Sequence, residues 1–176
     1  MSITSCATLS KQECLQGNWQ AIGYKDGTAG RYPTYISNHQ KACAKANIIA
    51  NQPLWEQGRK QGLKQYCTQP NAFQLGTRGI NLNKVCPANV TAKLQSINQT
   101  GLNQFKIANT IKKDEQKIKD YQSQLKKLKE GDMLNFKTEK EARIYMLSIA
   151  NKINDLEQQV NQNTAALTKL QLANVY

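Results

Sequence analysis

The five cysteines are the residues of this sequence whose type and spacing most directly suggest chemistry. A thiol can ligate a metal, act as a nucleophile or form a disulfide. All five lie in the first half of the chain, separated by 8, 29, 24 and 19 residues: Cys6, Cys14, Cys43, Cys67 and Cys86. Zinc sites usually contain closely spaced cysteine pairs; this sequence has none, and His39 is its only histidine. The spacing therefore favours disulfides formed in an oxidising compartment, and we expect no bound metal.

One cysteine must have a fate other than an intramolecular disulfide, because the number is odd. Cys6 follows Ile3, Thr4 and Ser5, an aliphatic residue and then two small ones. This segment resembles the lipobox of bacterial lipoproteins, in which the cysteine becomes the lipidated first residue of the mature chain. We therefore expect a lipid on Cys6, with residues 1–5 as the remnant of the lipobox. The alternative is a flexible N-terminus that carries a free thiol.

The remaining four cysteines allow three disulfide pairings. If Cys14 opens one helix and Cys43 closes the next, antiparallel packing of the two helices brings these cysteines together. We therefore favour the pairs Cys14–Cys43 and Cys67–Cys86, while the spacing leaves the other two pairings open. Each bridge would stabilise a small domain by roughly 3 kcal/mol, largely by restricting the unfolded chain.

Apart from the cysteines, the sequence offers few groups for catalysis. A Ser-His-Asp arrangement would need His39 to meet Asp26 and a serine, and the only serine near it in sequence is Ser37. A cysteine nucleophile would use a thiol that the disulfides need. Acidic pairs of the kind that cleave glycosides are scarce before residue 110. We therefore expect no catalytic residues, no cofactor and no enzyme activity, and we expect Asp26 to cap a helix or to form a local salt bridge.

Pairs of glycines follow aromatic residues in the first half of the chain. The segments contain Trp19, Gly23 and Gly27, then Trp55, Gly58 and Gly62, and in a looser copy Phe73, Gly76 and Gly79. Glycines four residues apart lie on one face of a helix, and each costs about 1 kcal/mol relative to alanine. Something must therefore pack closely against these faces, either an aromatic ring or the backbone of another helix. A phosphate-binding loop is disfavoured because no Gly-Lys-[Ser/Thr] sequence is present.

The second half of the sequence is typical of a long helical hairpin. From Ala88 to about Glu130 it contains no proline and a single glycine, and a capping box at Thr138 and Glu141 begins a second helix. Apolar residues of this second helix recur in steps of three and four, as in a coiled coil: Ala142, Met146, Ile149, Ile153, Leu156, Val160, Leu167 and Leu170. We therefore predict an antiparallel hairpin over residues 88–176 with its turn near 130–137.

The apolar spacing of the first helix predicts how the two arms of the hairpin align. Its inward positions are Ile97, Gly101, Gln104, Ala108, Ile111, Ile118 and Leu125. If the chain folds back at Gly131, Gln104 falls opposite Asn163, and the two amides could satisfy each other and fix the register. We favour this pairing within one chain over a parallel homodimer, and self-association through the hairpin is the alternative.

Composition limits the fold and the classes of partner. Hydrophobic residues make up 39% of the chain and the mean hydropathy is −0.65, so one large compact core is disfavoured. No apolar run approaches the ~20 residues needed to span a bilayer. The net charge is +12, but no basic cluster with interleaved aromatic residues indicates nucleic-acid binding. We predict an all-α chain with a small disulfide-braced helical domain over residues 6–87 and the antiparallel coiled-coil hairpin over 88–176.

A series of motifs in the first half resembles a known bacterial family. In order, they are Cys14 with Trp19, Gly23 to Arg31, His39 with Cys43, Gly58 to Cys67, Gly76 with Gly79, and Val85 to Pro87. The series resembles the domain of unknown function 2799 family, a group of bacterial lipoproteins, over residues 6–90. The resemblance implies a Gram-negative envelope protein anchored at Cys6, and Ala7 after that cysteine implies the outer membrane. It implies no activity, substrate or catalytic residue.

These features together predict a non-enzymatic lipoprotein on the periplasmic side of the outer membrane. The hairpin would act as a scaffold arm for protein partners in the envelope, and the lipid would attach the chain to the membrane. The alternative is a periplasmic ligand-binding or peptidoglycan-binding module that uses the aromatic and basic surface of residues 14–86. In that case Trp19, Tyr24, Trp55 and Tyr66 would line a cleft, since aromatic faces suit sugars and cations.

Overall fold

The computed structural model describes residues 8–173, and within this range the chain is helical and contains no strand. A short 3₁₀ turn at Pro33–Tyr35 precedes the third α-helix. The α-helices of this range are α1 (Lys11–Gln16), α2 (Trp19–Thr28), α3 (Ile36–Ala44), α4 (Gln52–Tyr66), α5 (Gln69–Thr77), α6 (Ala88–Lys129) and α7 (Glu139–Ala173). The predicted all-α class is confirmed. None of these helices is both long and apolar enough to cross a bilayer.

Polar side chains define where the short helices begin. Helix α1 starts with a complete capping box, in which the Ser10 hydroxyl accepts from the backbone N–H of Glu13 and the Glu13 carboxylate accepts from the backbone N–H of Ser10. The starts of α2, α4 and α5 have a single capping side chain each, from Asn18, Asn51 and Thr68. Each of these side chains accepts a hydrogen bond from the backbone N–H three residues further along the chain. These caps divide the first half of the chain into short, separately oriented helices.

The chain divides into two compact units, the first ending at Leu102 and the second beginning at Asn103. The first unit therefore includes the first fifteen residues of α6, whereas the sequence placed a boundary at residue 88. The reason lies in packing between α5 and α6: the amide of Asn98 donates to the carbonyl of Ala72, and Gly101 meets the backbone of α5. The start of a helix does not coincide with the edge of a packed unit here.

Two apolar clusters form the core of the N-terminal unit. The first contains Leu9, Cys14, Trp19, Ile36, Cys43 and Trp55, and the second contains Tyr66, Ala72, Leu82, Leu94 and Ile97. Each cluster contains or adjoins one disulfide. The Cys14–Cys43 bridge joins α1 to α3, and the Cys67–Cys86 bridge joins the end of α4 to the segment before α6, each with a Cα–Cα distance of 5.5 Å. The favoured pairing is confirmed.

The second unit is formed by the rest of α6 and by α7, which run back along each other as a hairpin. Helix α6 ends at Lys129 and Gly131 adopts a φ of +92°, so the turn lies where it was predicted. The Thr138–Glu141 capping box is present, with both hydrogen bonds at 3.3 Å. Near the turn, Leu128, Ala142 and Ile149 are buried together, and the Tyr145 hydroxyl donates to the Gln124 side chain at 2.6 Å.

The inward face of α6 differs from the predicted one at two positions. Ala108 is exposed, and Asp114, which the apolar pattern passed over, is 5% exposed and pairs with Lys117 Nζ at 2.9 Å. The other predicted positions are buried or half-buried. The same face also includes positions three residues beyond four of them, at Ile107, Asp114, Tyr121 and Leu128. In a helix, residues three and four positions further on both lie near one face, so the buried stripe is wider than the apolar spacing indicated.

Candidate functional site

Helices α2 and α4 cross with their backbones in direct contact at the predicted glycines. A Cβ on Gly23 would overlap the carbonyl of Trp55, and one on Gly27 would overlap the carbonyl of Arg59. The contact is reciprocal, because a Cβ on Gly58 or Gly62 would overlap carbonyl groups of α2. Of the two fillers considered from the sequence, the structure contains the helix backbone. This close approach sets the distance between the side chains that α2 and α4 carry.

A second crossing of this kind joins α5 to α6, and it corrects the role expected for Gly79. A Cβ on Gly76 would lie 2.9 Å from the Cα of Gly101, and one on Gly101 would lie 2.9 Å from the Cα of Gly76. Gly79 instead follows α5 with a φ of +77°, a left-handed conformation that suits glycine at the end of a helix. The apolar spacing predicted Gly101 in the hairpin seam, so its contact with Gly76 was not predicted.

The α2–α4 crossing places the carboxylate of Asp26 beside the indole of Trp55. Trp55 Nε1 donates to Asp26 Oδ2 at 2.8 Å, and His39 Nε2 from α3 lies 2.6 Å from the same oxygen. The three residues are 8%, 1% and 3% exposed for Asp26, Trp55 and His39 respectively. Asp26 therefore joins three helices, which corrects the expectation of a helix cap or a local salt bridge. Buried hydrogen bonds to a charged group of this kind are among the stronger ones in proteins.

The other ring nitrogen of His39 faces the segment that precedes α1. His39 Nδ1 lies 2.9 Å from the hydroxyl of Thr8, so a hydroxyl, an imidazole and a carboxylate form a continuous chain of contacts. The sequence analysis considered only a serine as the hydroxyl partner of His39. Thr8 was not predicted, because it lies 31 residues away and belongs to no recognisable motif. Both ring nitrogens have partners within the protein, so the arrangement holds the imidazole in a fixed orientation.

Arg59 lies next to this cluster on α4 and is almost completely buried. Its Nε and Nη2 donate to the two carboxylate oxygens of Glu56 at 2.6 and 2.8 Å, and its Nη1 donates to the carbonyl of Arg31 at 2.9 Å. The hydrogen bonds from Arg59 hold the pKa of Glu56 below its usual range. The guanidinium also lies over the Trp55 ring, 5.7 Å from its centroid. Arg59 therefore fixes the loop after α2 to the face of α4 that carries Trp55.

Tyr66 closes the other end of α4. Its ring fills the space over Gly30, and its hydroxyl accepts from the backbone N–H of Asn83 at 2.9 Å. Burial raises the pKa of the Tyr66 hydroxyl, an effect that the hydrogen bond from Asn83 partly opposes. Tyr66 is thus a structural residue of the second core cluster.

The buried aromatic residues cannot form the cleft considered from the sequence. Trp19, Trp55 and Tyr66 are 5% exposed or less and belong to the two core clusters, whereas Tyr24 is 45% exposed. Tyr24 lines an open pocket of about 400 Å³ together with Gln20 and Gln61. A cleft shared by the four aromatic residues is therefore not formed.

Lipidation of Cys6 and the Gln104–Asn163 amide pair were also predicted from the sequence. Cys6 lies outside residues 8–173, so its lipidation stays a prediction. Gln104 is 7% exposed and its Nε2 has no hydrogen-bond partner within the described part of the chain, while Asn163 is half-buried. The amide pair that would fix the hairpin register therefore also stays a prediction. Among residues 8–173, no three histidine, cysteine or acidic side chains are arranged to hold a metal ion.

Comparison with known proteins bears on the unit that carries this cluster. Residues 18–103 match the model of the family described as Protein of unknown function (DUF2799). This part of the chain is similar to that family. No curated protein and no solved structure matches the chain.

The match confirms the resemblance stated from the sequence and shifts its limits. The DUF2799 region begins at the cap of α2 and ends one residue beyond the N-terminal compact unit, so it includes the start of α6. Asp26, His39 and Trp55 all lie inside the DUF2799 region, as do both glycine crossings. Thr8 and Cys14 precede it. The family match and the N-terminal unit therefore end together within α6, whereas α1 lies outside the match.

Proposed function

We propose that the chain is a non-enzymatic lipoprotein of the Gram-negative cell envelope, anchored through Cys6 on the periplasmic side of the outer membrane. In this proposal the N-terminal unit is a stable base and the hairpin is an arm that binds a protein partner. The two disulfides support a location outside the reducing cytosol, since such bonds persist in oxidising compartments. The hairpin supplies the observation on which the partner-binding role depends.

That observation is a pair of large apolar side chains on the outer surface of α7. Ile144 and Leu147 are 59% and 67% exposed, and a spacing of three places them on one face of the helix. Between and beside them, Ala142, Met146 and Ile149 pack inward. Exposed apolar side chains grouped in this way, on a helix that already has a buried face, are typical of a protein-binding surface.

The test of the proposal combines the anchor with the arm. Mass spectrometry of the protein extracted from its native membranes should find acyl groups on Cys6. A photoreactive residue at position 147, introduced in cells, should form a specific cross-linked product, and the same residue at Gln158, an exposed polar position of α7, should not. An unmodified Cys6 thiol would contradict the anchor, and identical products from both positions would contradict the arm.

A second candidate function is binding of a glycan such as the sugar strands of peptidoglycan, and the pocket at Tyr24 favours it. An exposed tyrosine ring beside the amide groups of Gln20 and Gln61 offers an apolar face together with neutral hydrogen-bonding groups. The substitution Tyr24→Ala should then abolish co-sedimentation of the chain with purified peptidoglycan. Tyr32→Ala is the matched control, because Tyr32 is also 45% exposed and does not line that pocket. Equal binding by the wild-type chain and both variants would rule this candidate out.

A further inference from the structure

A second, smaller pocket opens directly onto the buried Asp26–His39 pair. It has a volume of about 190 Å³, and its walls include Asp26, Glu13, Lys25 and Arg31 together with the apolar side chains of Leu9 and Ile22. The pocket is therefore large enough for one small polar molecule.

One carboxylate oxygen of Asp26 accepts no hydrogen bond from the described residues. Both hydrogen bonds to Asp26, from Trp55 and from His39, end on Oδ2. None of the hydrogen bonds formed by residues 8–173 reaches Asp26 Oδ1, although only 8% of the residue is exposed. A carboxylate oxygen accepts hydrogen bonds, and the pocket is the open side from which a ligand donor can approach Oδ1.

Glu13 supplies a second acceptor at the same pocket. Its Oε2 is used by the backbone N–H and the hydroxyl of Ser10 in the capping box, which leaves Oε1 available. The hydrogen bonds from Ser10 hold the pKa of Glu13 below its usual range, and the charges of Lys25 and His39 contribute in the same direction. Glu13 is therefore an ionised carboxylate that lies close to the cationic groups of the pocket.

Two cationic side chains face these acceptors. Lys25 and Arg31 are exposed and line the pocket, and neither forms an ion pair with an acidic side chain in the described part of the chain. The guanidinium of Arg31 lies over the ring of Tyr35, 4.5 Å from its centroid, which orients it at the pocket wall. A purely anionic ligand would also face the carboxylates of Asp26 and Glu13, and a purely cationic ligand would also face the charges of Lys25 and Arg31.

We propose that this pocket binds a small zwitterion of the α-amino acid class. The ammonium group faces Asp26 Oδ1 and Glu13, and the carboxylate faces Lys25 and Arg31. Leu9 and Ile22 contact the ligand side chain, which restricts it to a small or unbranched group in the available volume. A few convergent polar groups within a mainly apolar wall are typical of sites for small molecules. This site is independent of the hairpin and of the partner-binding role proposed for it.

The test uses the full chain and three zwitterionic probes: glycine, L-alanine and D-alanine. Isothermal titration should give saturable binding for at least one probe. The two derivatives of that probe that lack one charge, the N-acetyl acid and the carboxamide, should bind at least ~10-fold more weakly, because each loses a charge-assisted contact. No saturable binding of any probe at ~10 mM, ten times a millimolar Kd, would overturn the proposal. Equal affinity for the probe and its derivatives would overturn it as well.

Protein variants locate the site. Lys25→Gln and Arg31→Gln remove exposed cations and leave the buried Asp26 hydrogen bonds in place, so both variants should fold and bind the probe at least ~10-fold more weakly. Lys41→Gln is the matched control, since Lys41 is an exposed lysine of the same unit that does not line the pocket. Weakening by all three variants to the same extent would show nonspecific attraction by the basic surface and would overturn the proposal.

Discussion

Gly27 of α2 and Gly62 of α4 are in backbone contact, so that a Cβ on Gly27 would lie 2.9 Å from the Cα of Gly62. This contact, together with that of Gly23 with the backbone of Trp55, brings the two helices close enough for Asp26 to reach the indole of Trp55. The glycines therefore determine the geometry of the polar cluster as well as the packing of the core.

Substitution of Gly27 by alanine should destabilise the protein. In an open helix this change would be favourable by about 1 kcal/mol, but here the methyl group overlaps the carbonyl of Arg59 and forces the helices apart. We expect a net loss of about 2 kcal/mol or more in the free energy of unfolding, measured by urea denaturation. Gln61→Ala, at an exposed position of α4, should change stability by less than about 0.5 kcal/mol. A Gly27→Ala variant as stable as this control would contradict the backbone contact.

The two disulfides should differ in their accessibility to reductant. Cys14 and Cys43 are buried, whereas Cys67 and Cys86 are half-buried, so dithiothreitol should cleave Cys67–Cys86 first. Alkylation followed by peptide mass spectrometry at increasing reductant concentrations measures the order. Each loss should lower the free energy of unfolding by roughly 3 kcal/mol, because the cross-link restricts the unfolded chain. A melting temperature that reductant leaves unchanged would contradict a stabilising role for either bridge.

The substitution Asp26→Asn should weaken the N-terminal unit. The asparagine amide keeps one oxygen that can accept from Trp55 and His39, but it lacks the negative charge of the carboxylate, so both contacts lose their charge assistance. We expect a decrease of about 2–3 kcal/mol in the free energy of unfolding. Urea denaturation monitored by tryptophan fluorescence measures this decrease. Asp155→Asn on the exposed face of α7 serves as the control and should have little effect.

The ionisation of Tyr66 should make stability decrease in alkaline solution. Burial raises the pKa of Tyr66 in the folded state above the value of the unfolded chain, so its contribution is complete below pH ~10 and is lost as the pH rises through the folded-state pKa. Ultraviolet titration of the seven tyrosines should show one that ionises late. Tyr66→Phe should remove this late step and Tyr24→Phe should not. Retention of the late step in Tyr66→Phe would show that another tyrosine causes it.

Gln104 allows a test of the hairpin register. Its Nε2 is buried without a partner in the described part of the chain, and an unpaired buried polar group costs about 1–3 kcal/mol. If the group remains unpaired in solution, Gln104→Leu should raise the free energy of unfolding by about 1 kcal/mol. If the predicted pairing with Asn163 forms instead, the same substitution should lower it, and Asn163→Leu should lower it by a similar amount. Thermal unfolding of the two single variants therefore distinguishes the two arrangements.

Much of the fold follows from local sequence signals. The capping residues and prolines set where the short helices begin, and the Thr138–Glu141 capping box sets the start of α7. The spacing of four cysteines favours the observed disulfide pairs, and glycines four residues apart predict a close helix contact. These features were accessible because each depends on residues close together in sequence, or on a chemistry that only one residue type performs.

The tertiary structure alone decided which distant residues meet. Thr8, Asp26, His39 and Trp55 come from four separate segments, and nothing in their spacing indicates that they converge. The pairing of Gly76 with Gly101 and the burial of Asp114 were likewise outside the reach of sequence patterns. The physical reason is that periodicity identifies which face of a helix is buried, whereas the contacts of a buried polar group depend on how helices cross in three dimensions.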